Sequence, residues 1–121
     1  MTVLVVDDSE AVASIISRIA AQGGWHGIHA ANVEEVPEIL KATKVDLLML
    51  DYVMPGKNGL ELARELREAG WTKLNIILFS GMSELIDKEE AARLGITHIL
   101  QKPLSIGELR CIMNEAKKLV E

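Results

Sequence analysis

The sequence predicts an α/β protein: an open, doubly wound parallel sheet of five strands with helices on both faces. Three observations carry that prediction. Short apolar runs rich in β-branched residues, such as Val3 to Val6, Val45 to Leu50 and Ile76 to Phe79, have the uniform hydrophobicity of strands buried on both faces. Longer segments of helical periodicity lie between them. The two patterns alternate five times along 121 residues, which suits parallel strands joined by helical crossovers.

The first strand runs over Val3 to Val6. Val12, Ile15, Ile16 and Ile19 then recur at helical spacing, placing these four on the inner face of a helix that Gly23-Gly24 stops. Gly27 to Ala30 is a weaker strand. A second helix is predicted from about Glu34 to Ala42 behind Asn32 as N-cap, with Pro37 an obstacle if it falls beyond the first turn. The third strand covers Val45 to Leu50, interrupted by Asp46, and the third helix runs from about Gly59 to Ala69. The fourth strand is Ile76 to Phe79. A fourth helix is predicted over Ser83 to Leu94, with Asp87-Lys88-Glu89-Glu90 as its solvated side and Gly95 closing it. The fifth strand is Thr97 to Gln101. Ser105 and Glu108 then form a capping-box pattern ahead of Leu109, Ile112, Met113, Ala116 and Leu119.

Composition narrows the function. A chain of this length suits one domain spanning residues 1–121, and 49% hydrophobic residues supply its core from aliphatic side chains, because aromatics make up only 3%. The net charge of −5 argues against a nucleic-acid-binding face. Cys111 is the one cysteine, so no internal disulfide forms, which fits a reducing cytoplasm. No stretch approaches the ~20 apolar residues of a membrane span. His26 and His29 lack a third ligand and read as surface or packing residues. Trp25 and Trp71 read as lids on the core edge, and Met49, Met54, Met82 and Met113 as packing.

In such sheets functional groups gather at the carboxyl ends of the strands, where the strand order reverses. Those ends carry Asp7-Asp8, Asp51, Ser80 and Lys102-Pro103. With the order 2-1-3-4-5, strands one and three are neighbours, and three carboxylates meet in one crevice with a hydroxyl and an ammonium to one side. Three carboxylates so close raise each other's pKa unless a counter-charge is present. A hard divalent cation such as Mg²⁺ supplies it, and Lys102 adds a second positive charge. The set suits transfer of a phosphoryl group to a carboxylate nucleophile. An exposed lysine in that crevice is expected to contribute little to packing. Taken singly, each of these residues has an ordinary structural reading as a cap, a loop serine or a surface charge; their shared rim distinguishes them.

With VLVVDDSE at the first strand, LLMLDYVMPGKNGLEL at the third, ILFSG at the fourth and ILQKPL at the fifth, the chain resembles the receiver domains of bacterial two-component response regulators over essentially its whole length. The resemblance implies a flavodoxin-like fold and a phosphorylation-switched module in a phosphorelay. It implies Asp51 as phosphoacceptor and Asp8, Asp51 and the Val53 backbone carbonyl as direct ligands of Mg²⁺, with Mn²⁺ an alternative. Asp7 would act largely through metal-bound water. Lys102 would pair with the phosphoryl group, and Ser80 would move toward it on activation. The Lys102–Pro103 bond is cis in that family. The implied partners are a sensor histidine kinase or a histidine phosphotransfer protein on one side. On the other stands a downstream protein or a covalently linked output domain, met through the fourth helix, fifth strand and fifth helix. A phosphorylation-dependent dimer is a further arrangement the resemblance allows. Binding of nucleic acid or membrane by this domain is not expected, nor is conventional enzymatic turnover.

Three positions depart from the pattern: Ser80 for the commoner threonine, Ile99 where an aromatic residue usually reports the switch, and Leu104 for a frequent phenylalanine. Strand alternation puts His98 on the face opposite Ile99. Val53 and Met82 occupy the positions that flank the path of an attacking water in receivers. A haloacid-dehalogenase-type phosphatase also uses an aspartyl phosphate, but it places a D-x-D after its first strand and needs a cap. A degenerate receiver is the third reading, and the intact Asp7, Asp8, Asp51, Ser80 and Lys102 set speaks against it.

Overall fold

The computed structural model describes residues 1–120. Its elements, in chain order, are β1 (Thr2–Val6), α1 (Glu10–Gln22), β2 (His26–Ala30), α2 (Glu35–Ala42), β3 (Leu47–Asp51) and α3 (Gly59–Glu68). After them come β4 (Asn75–Ser80), a 3-10 turn (Ser83–Leu85), α4 (Lys88–Arg93), β5 (Ile96–Gln101) and α5 (Ile106–Val120). The five strands form one sheet in the order 2-1-3-4-5, and every pair is parallel. This is the predicted doubly wound, flavodoxin-like architecture.

Two apolar layers flank the sheet. Leu4, Val6, Leu48, Leu50, Ile76 and Leu78 pack toward α2, α3 and α4. Val3, Val5, Leu47, Met49, Ile77 and Phe79 pack toward α1 and α5. The alternation within one strand is the period-2 geometry of β structure, and burial on both faces is why these strands read as unbroken apolar runs.

Several expected details are corrected. The third strand begins at Leu47: Asp46 instead exchanges two bonds with Thr2, donating its backbone N–H to the Thr2 carbonyl and accepting from the Thr2 N–H through Oδ2, both at 2.9 Å. Pro37 is tolerated because α2 starts at Glu35, so the missing N–H falls in the first turn, where it has no intrahelical acceptor. Asn32 accepts from the Glu35 N–H at 3.2 Å and the Glu35 carboxylate accepts in return from Ala31 and Asn32. In α1 the buried face is Ala13, Ile16, Ile19 and Ala20, and Ile15 is 54% exposed. The apolar stripe is therefore rotated from its predicted position.

The largest departure is the fourth helix. The chain turns once in a 3-10 loop at Ser83–Leu85, runs extended through Ile86, and starts a six-residue helix only at Lys88. Asp87 is its N-cap, with a carboxylate oxygen accepting from the Glu90 N–H at 3.1 Å. An acidic residue ahead of charged ones reads equally well as a helix face or as a cap, and Ile86 decides it by turning inward to the core.

Candidate functional site

Asp7 follows β1, Asp51 ends β3, Ser80 ends β4 and Lys102 follows β5, so the sheet alone brings four polar groups to one rim. Asp7, Asp51 and Ser80 are the buried polar residues of the core, whereas Asp8 is exposed. One carboxylate oxygen from each of Asp7, Asp8 and Asp51 lies within 4.8 Å of the other two. Lys102 Nζ donates to Asp7 Oδ2 at 3.1 Å and to Asp51 Oδ2 at 3.2 Å. The Lys102–Pro103 peptide is cis.

Backbone donors hold the carboxylates. The Ser9 N–H donates to Asp7 Oδ1 at 2.8 Å, and the Val53 N–H to Asp51 Oδ1 at 3.3 Å. Both are contacts from two residues downstream, the Asx turn that Asp forms at the mouth of a loop. Each aspartate thus meets a backbone N–H with one oxygen and Lys102 with the other. Ser9 also caps α1, accepting from the Val12 N–H at 3.3 Å. Past Asp51, Gly59 begins α3 against the strand end. A Cβ there would sit 2.9 Å from Leu78 Cδ2 and 3.0 Å from the Asp51 carbonyl, so only glycine permits that approach.

Burial pushes the Asp51 carboxyl above its ordinary value of 3.8, and the neighbouring Asp7 charge pushes it the same way. The Lys102 ammonium and the Val53 N–H pull it back without cancelling the rise. For Lys102, burial lowers the pKa, but its bonds and charge attraction to Asp7 and Asp51 outweigh this and leave it raised. The lysine is therefore no loose surface charge. Its side chain is 24% exposed and pairs with two buried carboxylates, so the lysine is not the exposed residue expected from the sequence.

Ser80 Oγ accepts from the Met82 N–H at 3.0 Å, so its hydroxyl oxygen is engaged by its own loop. Ile99 packs on the layer under α2, α3 and α4. His98 emerges on the opposite face, with Nε2 at 3.4 Å from Glu115 of α5, as alternation requires. Val53 and Met82 stand 60% and 52% exposed, so Met82 is not the packing residue its type suggested.

Three contacts have no signal in the linear sequence. His29, on edge strand β2, places Nε2 2.8 Å from the Asp7 carbonyl oxygen. Gln101 donates to the Gly81 carbonyl at 2.6 Å and accepts from the Ser83 N–H at 3.2 Å, tying the loop after Ser80 to β5. The ring of Phe79 lies beneath Lys102. Register across the sheet creates all three, and a register partner is not visible in one strand alone.

The sequence pattern of the response regulator receiver domain matches residues 3–114. The chain belongs to that family. Among relatives, this receiver is similar to the phosphate regulon transcriptional regulatory protein PhoB of Pseudomonas aeruginosa, at 30% identity over 109 residues, 89% of this chain and 48% of that protein. It is also similar to the KDP operon transcriptional regulatory protein KdpE of Escherichia coli, at 34% over 115 residues, 94% of this chain and 50% of that one. The chain spans about half the length of these curated relatives. Among solved structures, the receiver domain of the Francisella response regulator 1452 superposes with a TM-score of 0.88 at 27% identity, covering 99% of this chain and 98% of that one. Response regulator TrrA of Thermotoga maritima, solved in complex with Mg²⁺-BeF, superposes with a TM-score of 0.83 at 26% identity, covering 95% of this chain and 97% of that one.

The donor set of this receiver fits a hard divalent cation. Three carboxylates offer oxygens within 4.8 Å of one another, two of them paired with the Lys102 ammonium, and an oxygen-only donor set suits a hard divalent cation. No described helix is long and apolar enough to cross a membrane.

Proposed function

We propose that this receiver takes a phosphoryl group onto Asp51 and passes the event to a partner through the face built by α4, β5 and α5. The observation that supports it most is Lys102 held between the carboxylates of Asp7 and Asp51, at the joined ends of three strands. In the transfer, a carboxylate oxygen of Asp51 forms a bond to phosphorus. The bond from phosphorus to the donor's oxygen or imidazole nitrogen breaks, and the leaving group keeps that electron pair. Lys102 supplies a fixed positive charge beside the phosphoryl oxygens, where charge is spread in the transition state.

Asp7, Asp8, Asp51 and the Val53 carbonyl are the residues that would hold Mg²⁺ or Mn²⁺. The cation would neutralise charge on the carboxylates and the phosphoryl oxygens. The loop beginning at Ser80 carries the event outward: its hydroxyl oxygen accepts from the Met82 N–H, and a phosphoryl oxygen would give its O–H an acceptor, joining that loop to the site. A contact made in only one state is what shifts a two-state equilibrium.

The donor partner is a sensor histidine kinase or a histidine phosphotransfer protein. Exposed Ile15, beside Val12, Pro103 and Leu104 at the rim of the site, gives such a protein an apolar landing place. The receiver of the phosphoryl group is not a turnover enzyme in this reading, since the product stays on its own side chain.

Intact-mass measurement tests the assignment. With acetyl phosphate and Mg²⁺ the protein gains one phosphoryl group; Asp51→Asn, or excess chelator, abolishes the gain. Equal labelling of wild type and Asp51→Asn refutes Asp51 as the acceptor.

A further inference from the structure

Phe79 is the one phenylalanine in the chain, and its side chain is fully buried on the interior strand β4. Its backbone is fixed from both sides, paired with Asp51 in β3 and Leu100 in β5. Lys102 Nζ stands 5.1 Å from the centre of its ring. The same ammonium donates to Asp7 and Asp51, and no third hydrogen-bond acceptor meets it among the described residues. A cation within about 6 Å of an aromatic face is drawn to the negative face of the π system, more strongly where water is excluded.

We propose that Phe79 is a positioning residue for phosphoryl transfer: its ring is the seat that keeps the Lys102 ammonium at the joint between Asp7 and Asp51. The proposal rests on the reading of Asp51 as the phosphoacceptor. A lysine has a flexible four-carbon stem, so its head must be held to act as a fixed charge. The two carboxylates hold it only while their charge is available. A divalent cation on those carboxylates, or a phosphoryl group on Asp51, draws on that same charge. The ring is an anchor neither of them can occupy. It therefore holds the ammonium in place at the moment when its other partners turn to new ones, and small displacements of a charge at the reacting centre cost large factors in rate.

A single phenylalanine makes the test site-specific. Biosynthetic replacement of phenylalanine by its 4-fluoro, 3,5-difluoro and 3,4,5-trifluoro analogues changes Phe79 alone. It drains the negative face of the ring stepwise at nearly constant volume. The rate of Asp51 labelling by acetyl phosphate with Mg²⁺ is expected to fall with each fluorine, about fivefold across the series. A second measurement needs no metal or donor: the thermal midpoint of the metal-free protein should fall along the series in wild type and not in the Lys102→Ala background. A labelling rate that is flat across the series while Asp51 is labelled normally overturns the proposal and leaves the functional reading intact. So does an equal loss of thermal midpoint in both backgrounds, which would make Phe79 a packing residue. Absence of labelling on Asp51 in the unfluorinated protein overturns both.

Discussion

Helices α3 and α4 follow β3 and β4, the neighbouring interior strands that carry Asp51 and Ser80, yet they are held in opposite ways. Helix α3 has ten residues, a reciprocal capping box between Asn58 and Glu61, and five buried positions, Leu60, Leu62 and Leu66 among them. Helix α4 has six residues, and only Ala91 is buried. Two side chains of α3 reach α4, through Glu90 and the Leu94 carbonyl. Arg64 forms an ion pair with Glu90, and Arg67 donates to the carbonyls of Leu94, Trp71 and Leu74, each at 2.7 Å. One arm is thus packed, and the other is tethered. An element held by a few polar contacts and little apolar area opens at lower free energy than the global fold. By that measure the chain after the proposed phosphoacceptor is expected to open later than the chain after Ser80.

The largest effects should separate the two arms. Leu66→Ala, in the packed arm, is expected to lower unfolding free energy by about 2–5 kcal/mol. Ala91→Gly, in the tethered arm, should cost only about 1 kcal/mol. Denaturant midpoints decide between them, and equal losses would end the distinction. At the joint between the arms, Lys102→Ala should cost about 1–3 kcal/mol at neutral pH in metal-free protein, because it strands two buried carboxylates. Partial exposure of the lysine keeps the figure below that of a fully buried pair.

Asp51→Asn should act the other way. The fold raises the Asp51 pKa, so folding favours its protonated form. The stabilisation this gives is complete below the ordinary carboxylate value of 3.8 and is lost as pH rises through the raised value. Wild type therefore carries a penalty at pH 7 that Asn lacks. In chelator, the variant should melt higher than wild type at pH 7, with this charge penalty gone at pH 3. Mg²⁺ at ten times its Kd should restore roughly 1.4 kcal/mol to wild type.

The tethers make a sharper test of the comparison. Arg67→Ala should speed hydrogen exchange across residues 83–96 well before it affects 47–68, since the Leu94 carbonyl at the end of α4 loses its charged donor. Uniform acceleration would mean that both arms open as one unit. The smallest effect concerns one residue from each arm. Val53 and Met82 project to solvent beside Asp51 and Ser80, and neither side chain can orient a water by hydrogen bonding. Phosphate loss from isolated labelled protein should be slow, and Val53→Asn or Met82→Gln should speed it several-fold, on the order of 1 kcal/mol in barrier. If neither does, the flanking residues play no part in hydrolysis.

The sequence by itself determined the sheet, its two-sided burial and the residues that stand at its carboxyl rim. Those features rest on periodicity and on strand ends, which are local. Asp7, Asp8, Asp51, Ser80 and Lys102 were legible because a parallel sheet sends every strand end to the same edge, whatever the details of packing. What only the tertiary structure decided is how those groups are held. The rotation of α1 that exposes Ile15, the inward turn of Ile86 that breaks the fourth helix, and the three-quarters burial of Lys102 depend on which neighbour fills a given space. So do the Phe79 ring beneath that lysine and the Arg67 donors at the end of α4. Each is a contact between residues far apart in the chain, set by sheet register and interhelical fit, and no periodicity within one segment encodes the partner in another.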